Sequence, residues 1–335
     1  MLIFTIEIKG VFMFYTVRTY YRVILLPLFF LTAIHCLAQT TIDTTETLQI
    51  GGIKQVVRME GEDRSKPLFL FITGGPGSEG IYDENRQYLG ELEKHFTVVA
   101  WDQRDCGQTL KLNKSPIKLT VAVCENDAYE LVTALLSQFH QKRLFVMGWS
   151  WGTVLGFYMA DKHPEQLYAY MAVSPLVNQW QSERILLGEL KRKAAQQKNA
   201  RAIEELAKVK IPFENGLQNY YDRKWLRMFN GEGIDDTTGF KKYFTENPEM
   251  IALAKEGSYT NLPVSLPKVN CPVYFFVGRT DHQTNCLIAE KYYKQLAAPQ
   301  KGLFWFEHSG HLIPVTEPAL MQEDIITKVL PQITR

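Results

Sequence analysis

Short apolar runs without strict alternation recur along this chain, separated by longer stretches of helical spacing. The runs are "LFLFIT" (68–73), "FTVVAW" (96–101), "RLFVMG" (143–148), "YAYMAVS" (168–174), "VYFFVG" (273–278) and "LFWF" (303–306). Their length and lack of polar alternation predict strands buried on both faces of a parallel sheet. Between several of them, "NRQYLGELEKH" (85–95), "ENDAYELVTALLSQF" (125–139) and "WGTVLGFYMADKH" (151–163) carry helical patterns. Strand–helix alternation of this kind predicts a doubly wound, mostly parallel α/β sheet. Ahead of it, "LQIGGIKQVVRMEG" predicts a hairpin turning at Gly51-Gly52.

The alternation breaks over 177–266, a charged and mostly helical stretch. Its lysines read as a solvated face, but "NYYDRKWLRMF" (219–229) is too aromatic for a surface helix. The region is expected to be a helical cap inserted into a core of 48–176 and 267–335, packed over its active edge. "QTTIDTTET" (39–47) reads as a polar linker.

Residues 1–38 read as a targeting segment. Arg18 and Arg22 precede the apolar "VILLPLFFLTAI" (23–34), and small residues follow up to a cut after Ala38. The run is short for a membrane span, which takes about 20 apolar residues. The alternatives are an uncleaved signal anchor, a true start at Met13, and a lipoprotein site at Cys36 with His35 a poor fit before it. Export to the periplasm or medium is the expectation, with membrane contact only if this segment is retained. Cys106, Cys124, Cys271 and Cys286 then remain, and no pairing is assignable from sequence.

Composition narrows the chemistry. Lys+Arg is 37 against Asp+Glu 36, so no global field recruits nucleic acid. No cysteine–histidine spacing suits a metal, and none is expected. "GWSWG" (148–152) fits the nucleophile elbow G-x-S-x-G, here following a strand and preceding a helix. A serine hydroxyl needs a base, and the base an orienting acid. After "VYFFVG" comes Asp281; after "LFWF" come His308 and His311. His311 is favoured because Gly310 frees its loop, with His308 the fallback. An oxyanion hole is expected from the N–H of Trp151 and from the glycine loop 74–77, Gly75 first and Gly74 second. Gly74, Trp149, Trp225 and Phe229 are candidate substrate contacts.

Together "GGPG" (74–77), "DQRDCGQT" (102–109), "GWSWG", "VGRTD" (277–281) and "HSGHL" (308–312) resemble the α/β-hydrolase superfamily, in particular its proline iminopeptidase-like serine peptidases. The resemblance covers about 48–330 and implies an α/β-hydrolase fold with the triad Ser150, Asp281 and His311. It implies that Asp102, Gln103 and Arg104 either shape the site's mouth or brace the glycine loop. It also implies that cap acids receive a free substrate amine; Glu183, Glu189, Glu204, Glu205, Glu214 and Glu232 are available. Thr73 stands where such proteins usually carry histidine, and Asp105 where they carry glycine. The expectation is a cofactor-free serine hydrolase acting on a small-molecule or short-peptide substrate, with removal of an N-terminal proline the leading reaction. A carboxylesterase on small esters and a non-catalytic binding module are the alternatives.

Overall fold

The computed structural model describes residues 41–81, 88–231 and 237–333. The targeting segment and Glu232 lie outside the described residues. Eight strands form one sheet: β1 (Ile42–Ile50), β2 (Ile53–Gly61), β3 (Leu68–Ile72), β4 (Thr97–Asp102), β5 (Leu144–Trp149), β6 (Leu167–Val173), β7 (Val273–Gly278) and β8 (Lys301–Phe306). Their spatial order is β1-β2-β4-β3-β5-β6-β7-β8. β2 runs antiparallel to β1 and β4, and every other neighbouring pair is parallel.

The central strands are apolar throughout because both faces are covered. Leu68, Leu70 and Ile72 pack on one side of β3, and Phe69 and Phe71 on the other. β5 divides in the same way, with Leu144 and Val146 opposite Phe145 and Met147. The first side is covered by the helices α2 (Val121–Gln138) and α3 (Gly152–Lys162), which follow the short α1 (Gly107–Leu112).

Two local expectations need correction. The described part of the stretch expected to be a linker is a strand from residue 42 on: Ile42–Ile50 pairs along its whole length with β2, from Ile42 opposite Gly61 to Ile50 opposite Ile53. Its exposed residues are Asp43, Thr45, Thr47 and Gln49, while the alternate positions are at least partly covered. This is period-two patterning of an edge strand with one wet face, which polar composition disguises. The helix expected over 85–95 is, in its described part, helical at Tyr88 and Leu89 and then tightens into a 3-10 turn at Gly90–Lys94.

Between β6 and β7 the chain forms α4 (Gln179–Gln196), α5 (Ala200–Ala207), α6 (Gly216–Phe229), α7 (Thr237–Thr245), α8 (Pro248–Gly257) and the single-turn α9 (Leu262–Ser265). Asn178, Asn199, Asn215 and Asn247 each accept a main-chain N–H with their side chain at the start of α4, α5, α6 and α8. Those caps satisfy donors that a helix start leaves open. Trp180, Leu186, Leu190, Leu206 and Trp225 give this region an apolar cluster of its own.

Candidate active site

β5 stops at Trp149 and α3 starts at Gly152, so Ser150 and Trp151 make the whole turn. Ser150 sits at φ +54, a left-handed conformation that lifts its side chain clear of the strand. The flanking glycines are required by distance. A methyl group at 148 would lie 2.5 Å from the Gly152 carbonyl oxygen, and one at 152 would lie 2.2 Å from that of Ile72.

β5, β6, β7 and β8 are consecutive parallel neighbours, so the loops after β5, β7 and β8 leave one edge of the sheet. Those loops bring Ser150, Asp281 and His311 together. Ser150 Oγ is 2.8 Å from His311 Nε2, and His311 Nδ1 is 3.0 Å from Asp281 Oδ2. Asp281 is buried and further held by the N–H groups of Gln283 (2.9 Å) and Thr284 (3.0 Å) and by Thr284 Oγ1 (2.7 Å). Burial works to raise its pKa. The adjacent His311 imidazole and the Thr284 hydrogen bonds outweigh that and bring the carboxyl down to about 2. An acid held ionised in this way orients the imidazole and stabilises its protonated form.

The fallback histidine is not part of this relay. His308 is exposed, and its main-chain N–H donates to Glu317 at 3.1 Å. His282 Nδ1 lies 2.9 Å from Glu189. Among the described residues Cys106, Cys124, Cys271 and Cys286 form no disulfide, and burial pushes the thiols of Cys124 and Cys271 up to about 12.

Ser150 and His311 open onto a cavity of about 1320 Å³ between the sheet edge and the helices that follow β6. Gly74, Gly75, Trp149 and Trp151 line it. A methyl group at 74 would stand 3.2 Å from Ser150 Cβ, so the glycine loop lies directly beside the serine. Trp151 is the N-cap residue of α3, so its N–H lies at the helix start, where helix geometry provides no acceptor.

Trp225 and Phe229 do not line the cavity, contrary to expectation. On α6 the cavity-lining residues are Gly216, Asn219, Arg223, Leu226 and Arg227, one helical face. Trp225 and Phe229 fall on the opposite face, inside the apolar cluster, with the Trp225 indole donating to Glu205 at 2.8 Å. Trp180 and Phe213 supply the aromatic wall instead, their rings edge-on at 5.9 Å. Of the described acids proposed from sequence, Glu183 and Glu214 line the cavity, and both are engaged. Glu183 is paired with Arg223, and Glu214 with Lys210 at 2.9 Å.

Residues 67–318 match the family described as alpha/beta hydrolase fold. The chain belongs to that family. This alpha/beta hydrolase is 28% identical over 303 residues to "Probable aminopeptidase YbaC" of Bacillus subtilis (strain 168), spanning 82% of this chain and 92% of that protein. It is 28% identical over 126 residues to a proline iminopeptidase of Lactobacillus helveticus (strain DPC 4571), 37% of this chain and 41% of that one. A solved proline iminopeptidase from Mycobacterium smegmatis aligns with TM-score 0.61 at 16% identity, covering 87% of this chain and 98% of that chain. A thermophilic esterase from Thermogutta terrifontis aligns with TM-score 0.56 at 17% identity, covering 87% and 100%. At those identities the two structures share the fold.

In this alpha/beta hydrolase the segment after β4 braces the site and does not line it. Asp102 accepts from the N–H groups of Gly80 (2.7 Å), Ile81 (2.9 Å) and Gln108 (2.7 Å). Gln103 donates to the Thr73 carbonyl at 3.4 Å, and Arg104 forms a buried pair with Asp127 at 2.7 Å. Thr73 turns its hydroxyl onto the Ser78 carbonyl at 3.3 Å, closing the glycine loop on itself. Asp105 explains its own departure from glycine. Its φ is +57, a region aspartate tolerates, and its carboxylate accepts from the Ser115 N–H at 2.6 Å. Sequence reading missed Thr284, Ser174 and Gln179, short polar side chains that carry no motif.

Proposed function

We propose that this alpha/beta hydrolase is a serine hydrolase working through an acyl-enzyme, with an aminopeptidase reaction of the prolyl iminopeptidase type as its activity. One observation carries the reading: the unbroken contact from Asp281 through His311 to Ser150, at 3.0 and 2.8 Å. His311 takes the Ser150 proton as Oγ attacks the substrate carbonyl, and Asp281 stabilises the imidazolium. The N–H groups of Gly75 and Trp151 receive the oxyanion, which is admitted because the glycine loop has no side chain facing Ser150. His311 then protonates the leaving amine, activates water, and the acyl group is released. The name carried by the Bacillus subtilis relative supports the aminopeptidase class.

A carboxylesterase on small esters is the second reading. It is favoured by the engagement of Glu183 with Arg223, which leaves no unpaired described carboxylate from the expected set on the cavity wall. Labelling by a fluorophosphonate probe, lost in Ser150→Ala, tests the serine mechanism. Labelling that survives Ser150→Ala refutes it. Turnover of prolyl-arylamide against short acyl esters separates the two activities.

Export is part of the same proposal and rests on residues 1–38 alone. N-terminal sequencing of the protein recovered from the cell envelope and medium tests it, with a start at residue 39 the expected result.

A further inference from the structure

Thr284 donates its N–H to Asp281 Oδ1 at 3.0 Å and its hydroxyl to Oδ2 at 2.7 Å. Oδ2 is also the oxygen that meets His311 Nδ1. The other side of the same peptide group is tied as well, because the Gln283 carbonyl accepts from Gln179 Nε2 at 3.0 Å. In a planar trans peptide the carbonyl and the N–H point in opposite directions. The 283–284 peptide plane is therefore clamped between Asp281 and Gln179, and turning it breaks both bonds.

Gln179 is itself held on the side away from the loop. It is buried, sits in the first turn of α4, and its amide nitrogen has two hydrogens to give. One goes to the Gln283 carbonyl and the other to Glu183 Oε1 at 2.6 Å, so a reversed amide would set oxygen against oxygen. Glu183, one turn further along α4, is buried and fixed in turn by Arg223 of α6, whose Nη1 lies 2.9 Å from its Oε2. Asp222 holds the same guanidinium at 2.6 Å. Hydrogen bonds to charged groups are the strong and directional ones, and here water does not compete for them.

Resting on the serine-hydrolase reading, we infer that Gln179 is a positioning residue for the reaction. Through the 283–284 peptide it keeps the Asp281 carboxylate in register with His311, and Glu183 and Arg223 keep Gln179 in place. The acid of the triad is thereby braced from α4 and α6, two helices that also line the cavity.

Amide hydrogen exchange of the full chain, followed at Thr284 by NMR, tests the clamp without requiring turnover. Gln179→Met keeps the reach of the side chain and removes both donors, so exchange at Thr284 is expected to quicken at least about fivefold. Gln179→Asn, too short to reach both acceptors, is the second variant if the first does not fold, with circular dichroism deciding which does. Labelling of Ser150 by a fluorophosphonate then reads the reaction. Gln179→Met should slow labelling about 5–30-fold in the wild-type background. In Asp281→Asn, where the acid it supports is already gone, the same change should slow it less than about twofold. Unchanged exchange at Thr284 in a folded variant overturns the proposal. So does a labelling rate that falls by the same factor with and without Asp281, the pattern of general loosening. A wild type that the probe does not label rejects the serine-hydrolase reading, and exchange at Thr284 then decides the clamp by itself.

Discussion

The indole N–H of Trp149 donates to the main-chain carbonyl of His311 at 3.0 Å. The residue before Ser150 thus holds the backbone of His311, the proposed nucleophile and base, and Ser174 Oγ donates to the same oxygen at 3.0 Å. These two bonds anchor the His311 backbone directly after Gly310, and the ring's approach to Ser150 depends on that anchoring. We predict that Trp149→Phe lowers kcat about 3–10-fold, the loss expected for one neutral hydrogen bond. Combining it with Ser174→Ala should cost more than either change alone. Steady-state kinetics on a short ester checks this. An unchanged kcat in the double variant would show that the carbonyl needs neither anchor.

Asp281 ties stability to pH. Its folded pKa of about 2 lies below the unfolded value of about 3.9. The unfolded chain therefore binds this proton first as pH falls. The stabilisation, about 2–3 kcal/mol, is fully present above pH about 4 and is lost as pH drops toward 2. Urea unfolding should show that the gap between wild type and Asp281→Asn narrows over that interval. A constant gap from pH 6 to pH 3 would falsify the assignment. At neutral pH the same variant should lose about 10⁴-fold in kcat, since an amide no longer enforces the productive tautomer.

What the sequence made legible follows from how local each signal is. Ser150, Asp281 and His311 each sit just past an apolar run, so strand ends together with the G-x-S-x-G motif and Gly310 pointed to them, and parallel topology brings them together. The end of β1 was legible as one arm of the hairpin turning at Gly51-Gly52, but 42–47 was not, because it spends its outward positions on threonine and charge, and only pairing with β2 reveals its covered face. Trp225 and Phe229 were misplaced for a related reason. Aromatic density in 219–229 announces burial but not which of α6's two faces meets the cavity. That is decided by packing against α4 and α5, which no short window contains.

The Arg104–Asp127 pair makes a prediction about stability apart from chemistry. Both side chains are 1% exposed. Asp127 binds the guanidinium through both carboxylate oxygens at 2.7 Å and accepts from Gln55 at 2.8 Å. Removing one partner leaves a buried charge without its counterion. Asp127→Ala should therefore destabilise the fold by about 3–5 kcal/mol, read as a lower urea midpoint. The double change Arg104→Met, Asp127→Leu should cost less than the single one, because no charge is then stranded. A double variant weaker than Asp127→Ala would show that the pair's hydrogen bonds to Gly51 and Gln55 matter more than its charge.

A further constraint on the oxyanion side comes from α8. A methyl group at Gly257 would lie 2.3 Å from Cζ3 of the Trp151 ring, and one at Gly77 would lie 3.2 Å from Met250 Cγ. Helix α8 therefore presses on both segments proposed to donate to the oxyanion. Trp151 is buried with its indole nitrogen unpartnered, so packing in the core, and no hydrogen bond of its ring, sets where the indole lies. Gly257→Ala should displace the Trp151 ring and with it the adjoining N–H, lowering kcat about 10–100-fold with little change in KM. Adding Trp151→Phe removes the outer ring atoms that the new methyl would strike and keeps the main-chain donor. It also removes a buried donor that makes no hydrogen bond. The double variant should recover at least about tenfold in kcat over Gly257→Ala, a reversal that general loss of stability would not produce. If instead the two changes multiply, ring contact at 257 does not govern the position of the oxyanion donor.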